Sequence, residues 1–373
     1  MGFLGGACRC SALLVLLLAL LIGSFLREET NLLKRLGFFS WLDGHNFERG
    51  QTLKGLLPIF HHEPWGFNES DIPDLTGQIF LVTGGNAGLG YWTAYHLAAH
   101  KGTVVLGCRS QARCEKAAES LHQSTGTRVE IGLMDLSSLA SIRTFAANFS
   151  SRFEHLDGLV LNAGLLGMPF GLTKDGVEML FGTMHLGHFL LTKLLMPLLE
   201  ASAAAGHAPT VVAVSSTSHF KSYPEGILPS MEAINDPDRF SMKLAYGQAK
   251  LANVLFAHEL AARVKDNGIL VNSVHPGVVD TEISRHVLES VGRWIGASVA
   301  ESLLSLLLSA VWTPRQAALT QVFAAVSPSL KQQRITGKYF HPIARETTPD
   351  PHVANATLRR YLWDISEAFI AEH

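Results

Sequence analysis

The sequence predicts an α/β fold built on one parallel, doubly wound sheet, and three observations carry that prediction. Short β-branched or apolar runs recur with helical segments between them, a glycine-rich turn joins the first run to the first helix, and Pro73-Asp74-Leu75-Thr76-Gly77 punctuates the chain where the alternation begins. The runs are Ile79–Val82, Thr103–Leu106, Val129–Leu133, Leu159–Leu161, Val211–Val214 and Leu270–Val274. Each is long enough for a strand and too short for a helix. No internal repeat or low-complexity linker divides the region, so residues 75–345 read as one Rossmann-type domain and 346–373 as a C-terminal extension.

Ahead of that domain lie two segments of different character. Ser11–Leu26 reads SALLVLLLALLIGSFL, an uncharged apolar stretch within 1–26. It is slightly short for a spanning helix, which needs about 20 apolar residues, but no small-x-small cleavage site follows it, so a retained anchor or signal-anchor is expected. Arg9 on one side, and Arg27, Lys34 and Arg35 mixed with Glu28 and Glu29 on the other, do not fix its orientation. Residues 27–74 form an aromatic-rich arm. Its Phe38, Phe39, Trp41, Phe60, Trp65 and Phe67 suit either a bilayer interface or the surface of the main domain. Sequons at Asn68, Asn148 and Asn355 permit glycosylation only in a secretory lumen.

The bulk composition limits the partners. Thirty basic residues against 32 acidic ones leave a net charge of −2 with no run of like charge, which gives no footprint for nucleic acid. Four cysteines are too few for a disulfide scaffold; they are expected as free thiols, Cys8 and Cys10 being placed for acylation beside the apolar stretch. His61/His62 and His185/His188 lack a carboxylate or cysteine to complete a site at helical spacing, so no metal is expected.

The first chemical motif, Thr83-Gly84-Gly85-Asn86-Ala87-Gly88-Leu89-Gly90, stands where a strand meets a helix. Such a turn lets backbone approach a pyrophosphate, whose charge is met by amides at the helix N-terminus. About 20 residues later, where this fold meets the adenosine ribose, stands Arg109. An acid there suits a free 2′-hydroxyl; a guanidinium suits a 2′-phosphate, so NADP(H) is favoured over NAD(H). Asp135-Leu136 and Asn162-Ala163-Gly164 fall on the same carboxyl edge, although strand-end Asp and Asn also cap turns. Val211–Val214 leads to Ser215-Ser216, and Tyr246-Gly247-Gln248-Ala249-Lys250 opens a helical pattern. The four-residue spacing puts Tyr246 and Lys250 on one face, where an ammonium favours phenolate and brings a phenol toward use as a general acid or base. Ser216 is placed to hold a substrate oxygen.

In this order TGGNAGLG, Asp135-Leu136, LNAG at 161–164, VSS at 214–216, YGQAK at 246–250 and HPGVVDT at 275–281 resemble the short-chain dehydrogenase/reductase family over about 270 residues. LGCRS at 106–110, HLGHFLLTKLL at 185–195 and GKYF at 337–340 look most like its retinol dehydrogenase and WW-domain-oxidoreductase branch. The resemblance implies that Tyr246 is the catalytic acid/base, that Lys250 lowers its pKa and binds the nicotinamide ribose, and that Ser216 orients the reacting oxygen. Gly84, Asn86, Gly88, Leu89, Gly90, Arg109, Asp135, Leu136, Asn162, Ala163 and Gly164 are expected along the cofactor, with Pro276, Gly277, Val279 and Thr281 toward its nicotinamide end. The branch acts on lipophilic alcohols and aldehydes (retinoid-, steroid- or lipid-like) at membranes, the endoplasmic reticulum above all, and a homodimer is the family's habit. One departure stands out: Met184 replaces the asparagine that the family uses to position a proton-relaying water. A tethered nucleotide-binding scaffold with reduced or lost catalysis is therefore the alternative. The apolar stretch Ile295–Trp312, with Glu301 its one charge, is expected as a pocket lid or subunit interface.

Overall fold

The computed structural model describes residues 66–277, 279 and 312–373. The apolar segment 11–26, Cys8 and Cys10, the arm as far as Trp65, Thr281 and the stretch 295–311 lie outside the described residues.

The six expected strands all form, within one or two residues of their predicted ends. They are β1 (Ile79–Thr83), β2 (Thr103–Cys108), β3 (Glu130–Leu133), β4 (Gly158–Leu161), β5 (Thr210–Val214) and β6 (Leu270–Val274). Two more follow, β7 (Tyr339–His341) and β8 (Arg345–Glu346), completing a sheet of order β3-β2-β1-β4-β5-β6-β7-β8. All neighbours are parallel except β7 and β8. The order reverses between β1 and β4, the switch point at which ligands of open α/β sheets bind.

The helices that matter to the site are α1 (Gly88–Ala99), α2 (Gln111–Thr125), α3 (Leu139–Ser150), α4 (Gly187–Ala204), α5 (Met242–Arg263), α6 (Pro314–Val326) and α7 (Ala356–Glu372). The two-residue period of the strands divides the core. Phe80, Val82, Val104 and Leu106 face Ala94 and Leu97 of α1, Leu121 of α2 and Val322 of α6. Leu81, Val105, Leu159 and Val211 face Phe145 of α3, Phe189 and Leu195 of α4 and Leu260 of α5. Both faces are covered, so the strands are apolar throughout rather than alternating.

Met179–Ala204 is the one helical run among the described residues long and apolar enough to cross a membrane, but most of it is buried within the fold. Its apolarity serves the core. Phe67, from the aromatic arm, packs edge-on against Phe323 with ring centroids 5.4 Å apart. Two of the sequon asparagines serve as caps: Asn68 closes a capping box with Asp71, and Asn355 accepts from Thr357 and Leu358 at the start of α7. Cys108 and Cys114, expected as free thiols, are instead joined in a disulfide. The end of β2 and the first turn of α2 bring their Cα atoms to 6.2 Å, within bridging range.

Candidate active site

The glycine-rich turn runs from the end of β1 into α1. Gly90 allows the closest approach in it, since a Cβ there would stand 2.5 Å from Asn162 Nδ2 and nearer still to the Gly84 carbonyl. Gly88 has φ +54°, and nothing lies within 4 Å of where its Cβ would be. The N-cap of α1 is Ala87, so no N-cap side chain satisfies the amides of the first turn. A cradle of open backbone at an uncapped helix N-terminus fits a pyrophosphate.

That turn is braced from below by a network the sequence did not disclose. Asn162 Nδ2 donates to the Thr83 carbonyl at 2.9 Å, and the Asn162 and Ala163 amides both donate to Thr83 Oγ1 at 2.9 Å. His188 Nδ1 lies 3.0 Å from the Met184 carbonyl, which can only accept, so this nitrogen carries the proton. Its Nε2, 2.9 Å from Thr83 Oγ1, is then left to accept from that hydroxyl. Burial holds the ring's pKa down to about 3, so it stays neutral, as this tautomer requires. Gln321 of α6 completes the brace, donating to Asn162 Oδ1 at 3.2 Å and accepting from Thr93 at 2.8 Å. His188, weighed from sequence as a metal ligand, is therefore a buried hydrogen-bond partner of the turn.

Arg109 is exposed just past β2 and makes no ion pair among the described residues. Asp135 takes the turn-capping role left open by its sequence position, accepting from the Ser137 amide and hydroxyl at 3.0 and 2.7 Å and pairing with Lys174 at 3.1 Å. Burial raises its pKa, but these partners together outweigh that and hold the carboxyl below its ordinary value. Leu136 is buried beside Gly187.

The polar trio meets at the carboxyl ends of β5 and β6. Ser216 is the N-cap of a short turn, 217–221, where its hydroxyl accepts from the Ser218 amide at 3.2 Å, and it is near enough to the Tyr246 phenol to favour the phenol's ionised form. Gly247 makes this possible, because a Cβ there would run into the Lys221 carbonyl. Tyr246 is half-buried as a residue, but its hydroxyl end is enclosed; burial pushes the phenol up to about 12 against the opposing effect of Ser216. Lys250 lies one turn on, its Nζ 5.8 Å from the Tyr246 ring centroid and 3.1 Å from the Val214 carbonyl. Ser215 and Asn253, neither singled out by sequence, fix the same corner: Ser215 donates to the Lys250 carbonyl at 2.7 Å and Asn253 to Val214 at 3.1 Å. His275, Pro276 and Gly277 follow β6, with Val279 bridging to Trp312.

Met184 sits in a π-helical turn, Gly182–Leu186. Its Sδ accepts from the Leu165 amide at 3.4 Å. Sδ and Lys250 Nζ both lie within 3.5 Å of the point a Gly164 Cβ would occupy, so both border the same small space at Gly164.

Burial lowers the Lys250 ammonium from its usual 10.5 to about 8. The folded pKa lies below the unfolded one, so the unfolded chain holds more protons between about pH 8 and 10.5, and stability linked to this group rises with pH through that window. Lys250→Met is therefore expected to stabilise the cofactor-free protein near neutral pH by about 2–3 kcal/mol, the advantage fading between about pH 8 and 10.5 and gone above it. Thermal midpoints of both proteins across that range check it; a constant difference would contradict it.

A doubly wound sheet with an open dinucleotide turn and a Ser-Tyr-Lys trio across its switch point defines a nicotinamide-dependent oxidoreductase. The chain belongs to the short-chain dehydrogenase/reductase family, whose model, described as short chain dehydrogenase, matches residues 78–228 and 234–291. It is 36% identical over 306 residues to retinol dehydrogenase 14 of Mus musculus, covering 79% of this chain and 86% of that protein. Against the WW domain-containing oxidoreductase of Danio rerio the figures are 37% over 326 residues, 85% and 72%. Its sequence sides with that branch of the family. An uncharacterised protein from Mycobacterium paratuberculosis shares the fold at TM-score 0.61 and 29% identity, over 82% of this chain and 98% of the other. L-sorbose reductase of Gluconobacter frateurii, solved with NADPH and L-sorbose, shares the fold at TM-score 0.58 and 19% identity, over 74% and 98%.

Proposed function

We propose that this oxidoreductase interconverts a lipophilic alcohol and its carbonyl compound using NADP(H), held at a membrane by its N-terminal segment. The observation that carries the reading is the gathering of Ser216, Tyr246 and Lys250, the last with its Nζ 5.8 Å from the Tyr246 ring centroid, at the same carboxyl edge of the sheet as the braced glycine turn. A nicotinamide held at this edge would supply or accept the hydride. Ser216 holds the substrate oxygen, and Tyr246 passes a proton to it on reduction or removes one on oxidation. Lys250 brings its ammonium to the phenol and counters the burial that holds the phenol near 12. Gly84, Asn86, Gly88, Leu89 and Gly90 would line the pyrophosphate, Asn162, Ala163 and Gly164 the centre, and Pro276, Gly277 and Val279 the nicotinamide end. The names of the retinol dehydrogenase relatives support a lipophilic substrate.

Arg109 supports NADP(H) because an exposed guanidinium without an ion-pair partner among the described residues is free to meet a 2′-phosphate. Arg109→Ala should weaken NADPH binding by about tenfold to a hundredfold, the loss of a charge-assisted hydrogen bond, and leave NADH nearly unchanged. Equal losses for both cofactors in fluorescence titrations would remove the basis for the preference.

A second reading, a tethered nucleotide-binding scaffold, rests on Met184, whose sulfur borders the same space at Gly164 as Lys250 and which stands where the resemblance implies a relay asparagine. Cofactor turnover by the full chain in detergent, over a panel of lipophilic aldehydes, ketones and alcohols, separates the two.

A further inference from the structure

We infer that His155, Asp157 and His207 form a binding site for a divalent transition metal of the zinc class, at the amino edge of the sheet. Asp157 precedes β4 and Asn162 follows it, so this edge lies about 16 Å from the cofactor turn.

Three donor atoms from two separate loops converge here, all within 4.8 Å of one another. Asp157 is buried, with its side chain 1% exposed. Its Oδ1 lies 2.7 Å from His207 Nδ1, and its Oδ2 lies 3.2 Å from His155 Nε2. The imidazoles are partly open to solvent, which gives an ion a route in and leaves room for a water ligand. The carboxylate is itself held in place: Ser202 Oγ donates to Oδ1 at 2.6 Å and the Ile79 amide to Oδ2 at 2.8 Å. Such outer partners orient ligands in metal sites.

The donor set selects the ion. Two imidazole nitrogens and one carboxylate oxygen suit Zn²⁺, Co²⁺ or Ni²⁺ and not Ca²⁺ or Mg²⁺, which take oxygen shells. The 2.7 and 3.2 Å separations run to different carboxylate oxygens and the three donors span up to 4.8 Å, so binding draws the two imidazoles together, since bonds of about 2.0–2.1 Å at tetrahedral angles put adjacent ligands a little over 3 Å apart. Each ring binds as the neutral tautomer, with its proton on the nitrogen facing away. Lys331 also feels Asp157, but burial already lowers its ammonium, and its Nζ is turned to Gln78 at 3.4 Å. The ion would tie the turn before β4 to the loop before β5, a structural role.

The test uses the full untagged chain in detergent, stripped with chelator and titrated with Co²⁺, then with competing Zn²⁺. One equivalent of Co²⁺ should bind with the visible bands of a tetrahedral site and be displaced by Zn²⁺. His155→Gln and His207→Gln, which keep a donor toward Asp157 and so keep the fold, should each weaken it at least about a hundredfold, and Ser202→Ala by about tenfold. Zn²⁺ should raise the thermal midpoint of the parent and not of the Gln variants, with cofactor binding unchanged throughout. Absence of stoichiometric binding, or equal binding by the Gln variants, overturns the site whatever the outcome for the oxidoreductase.

Discussion

Tyr246→Phe is expected to lower kcat by about three orders of magnitude, at the strong end of what a positioned acid/base contributes. The substitution removes one enclosed hydroxyl near Ser216 and leaves the ring against Lys250. It leaves the glycine turn and its Thr83–Asn162–His188 brace intact, so NADPH affinity should hardly move. The separation of the two quantities is the diagnostic part. A merely structural tyrosine would change stability and cofactor binding together, whereas a proton donor changes turnover alone. Steady-state kinetics beside a fluorescence titration would show this; a variant with turnover near the parent's would remove Tyr246 from the chemistry.

Gly90→Ala should act on the other half of the site, and by a different route. The added methyl would stand 2.5 Å from Asn162 Nδ2 and nearer to the Gly84 carbonyl, both held by backbone or by a network that cannot yield alone. Overpacking of this kind costs about 1–3 kcal/mol, and relief requires the turn to open and the Asn162–Thr83 bond to break. Because that turn is the proposed pyrophosphate cradle, NADPH affinity should fall by about ten- to a hundredfold. The fall in thermal midpoint should be modest, since the methyl disturbs a turn rather than the core. Unchanged affinity in the variant would mean the cofactor lies elsewhere.

Much of the fold was legible because its signals are local. A buried parallel strand shows as an apolar run, and each of the six runs became a strand. The site motifs were legible for the same reason: Tyr246 and Lys250 share one helix face by spacing alone, and strand ends fix one edge of the sheet. What was missed depends on distance in sequence. β7 and β8 are three and two residues long and present no period to read. The brace of the glycine turn draws on Thr83, Thr93, Asn162, His188 and Gln321, which only the fold brings together. The disulfide was missed because six residues of separation say nothing until a strand end and a helix turn are set side by side. His155 and His207 meet on Asp157 from two loops, so no spacing rule could pair them. The bond that Met184 accepts from the Leu165 amide likewise needed the structure.

The central claim is that the Ser216, Tyr246 and Lys250 trio turns over. The direct measurement is NADPH oxidation and NADP reduction by the purified full chain in detergent with lipophilic aldehydes, ketones and alcohols. The account predicts repeated turnover with at least one of them, faster with the 2′-phosphorylated cofactor, and with Met184 in place. Tight cofactor binding with no turnover across the panel would contradict it and leave the scaffold reading standing.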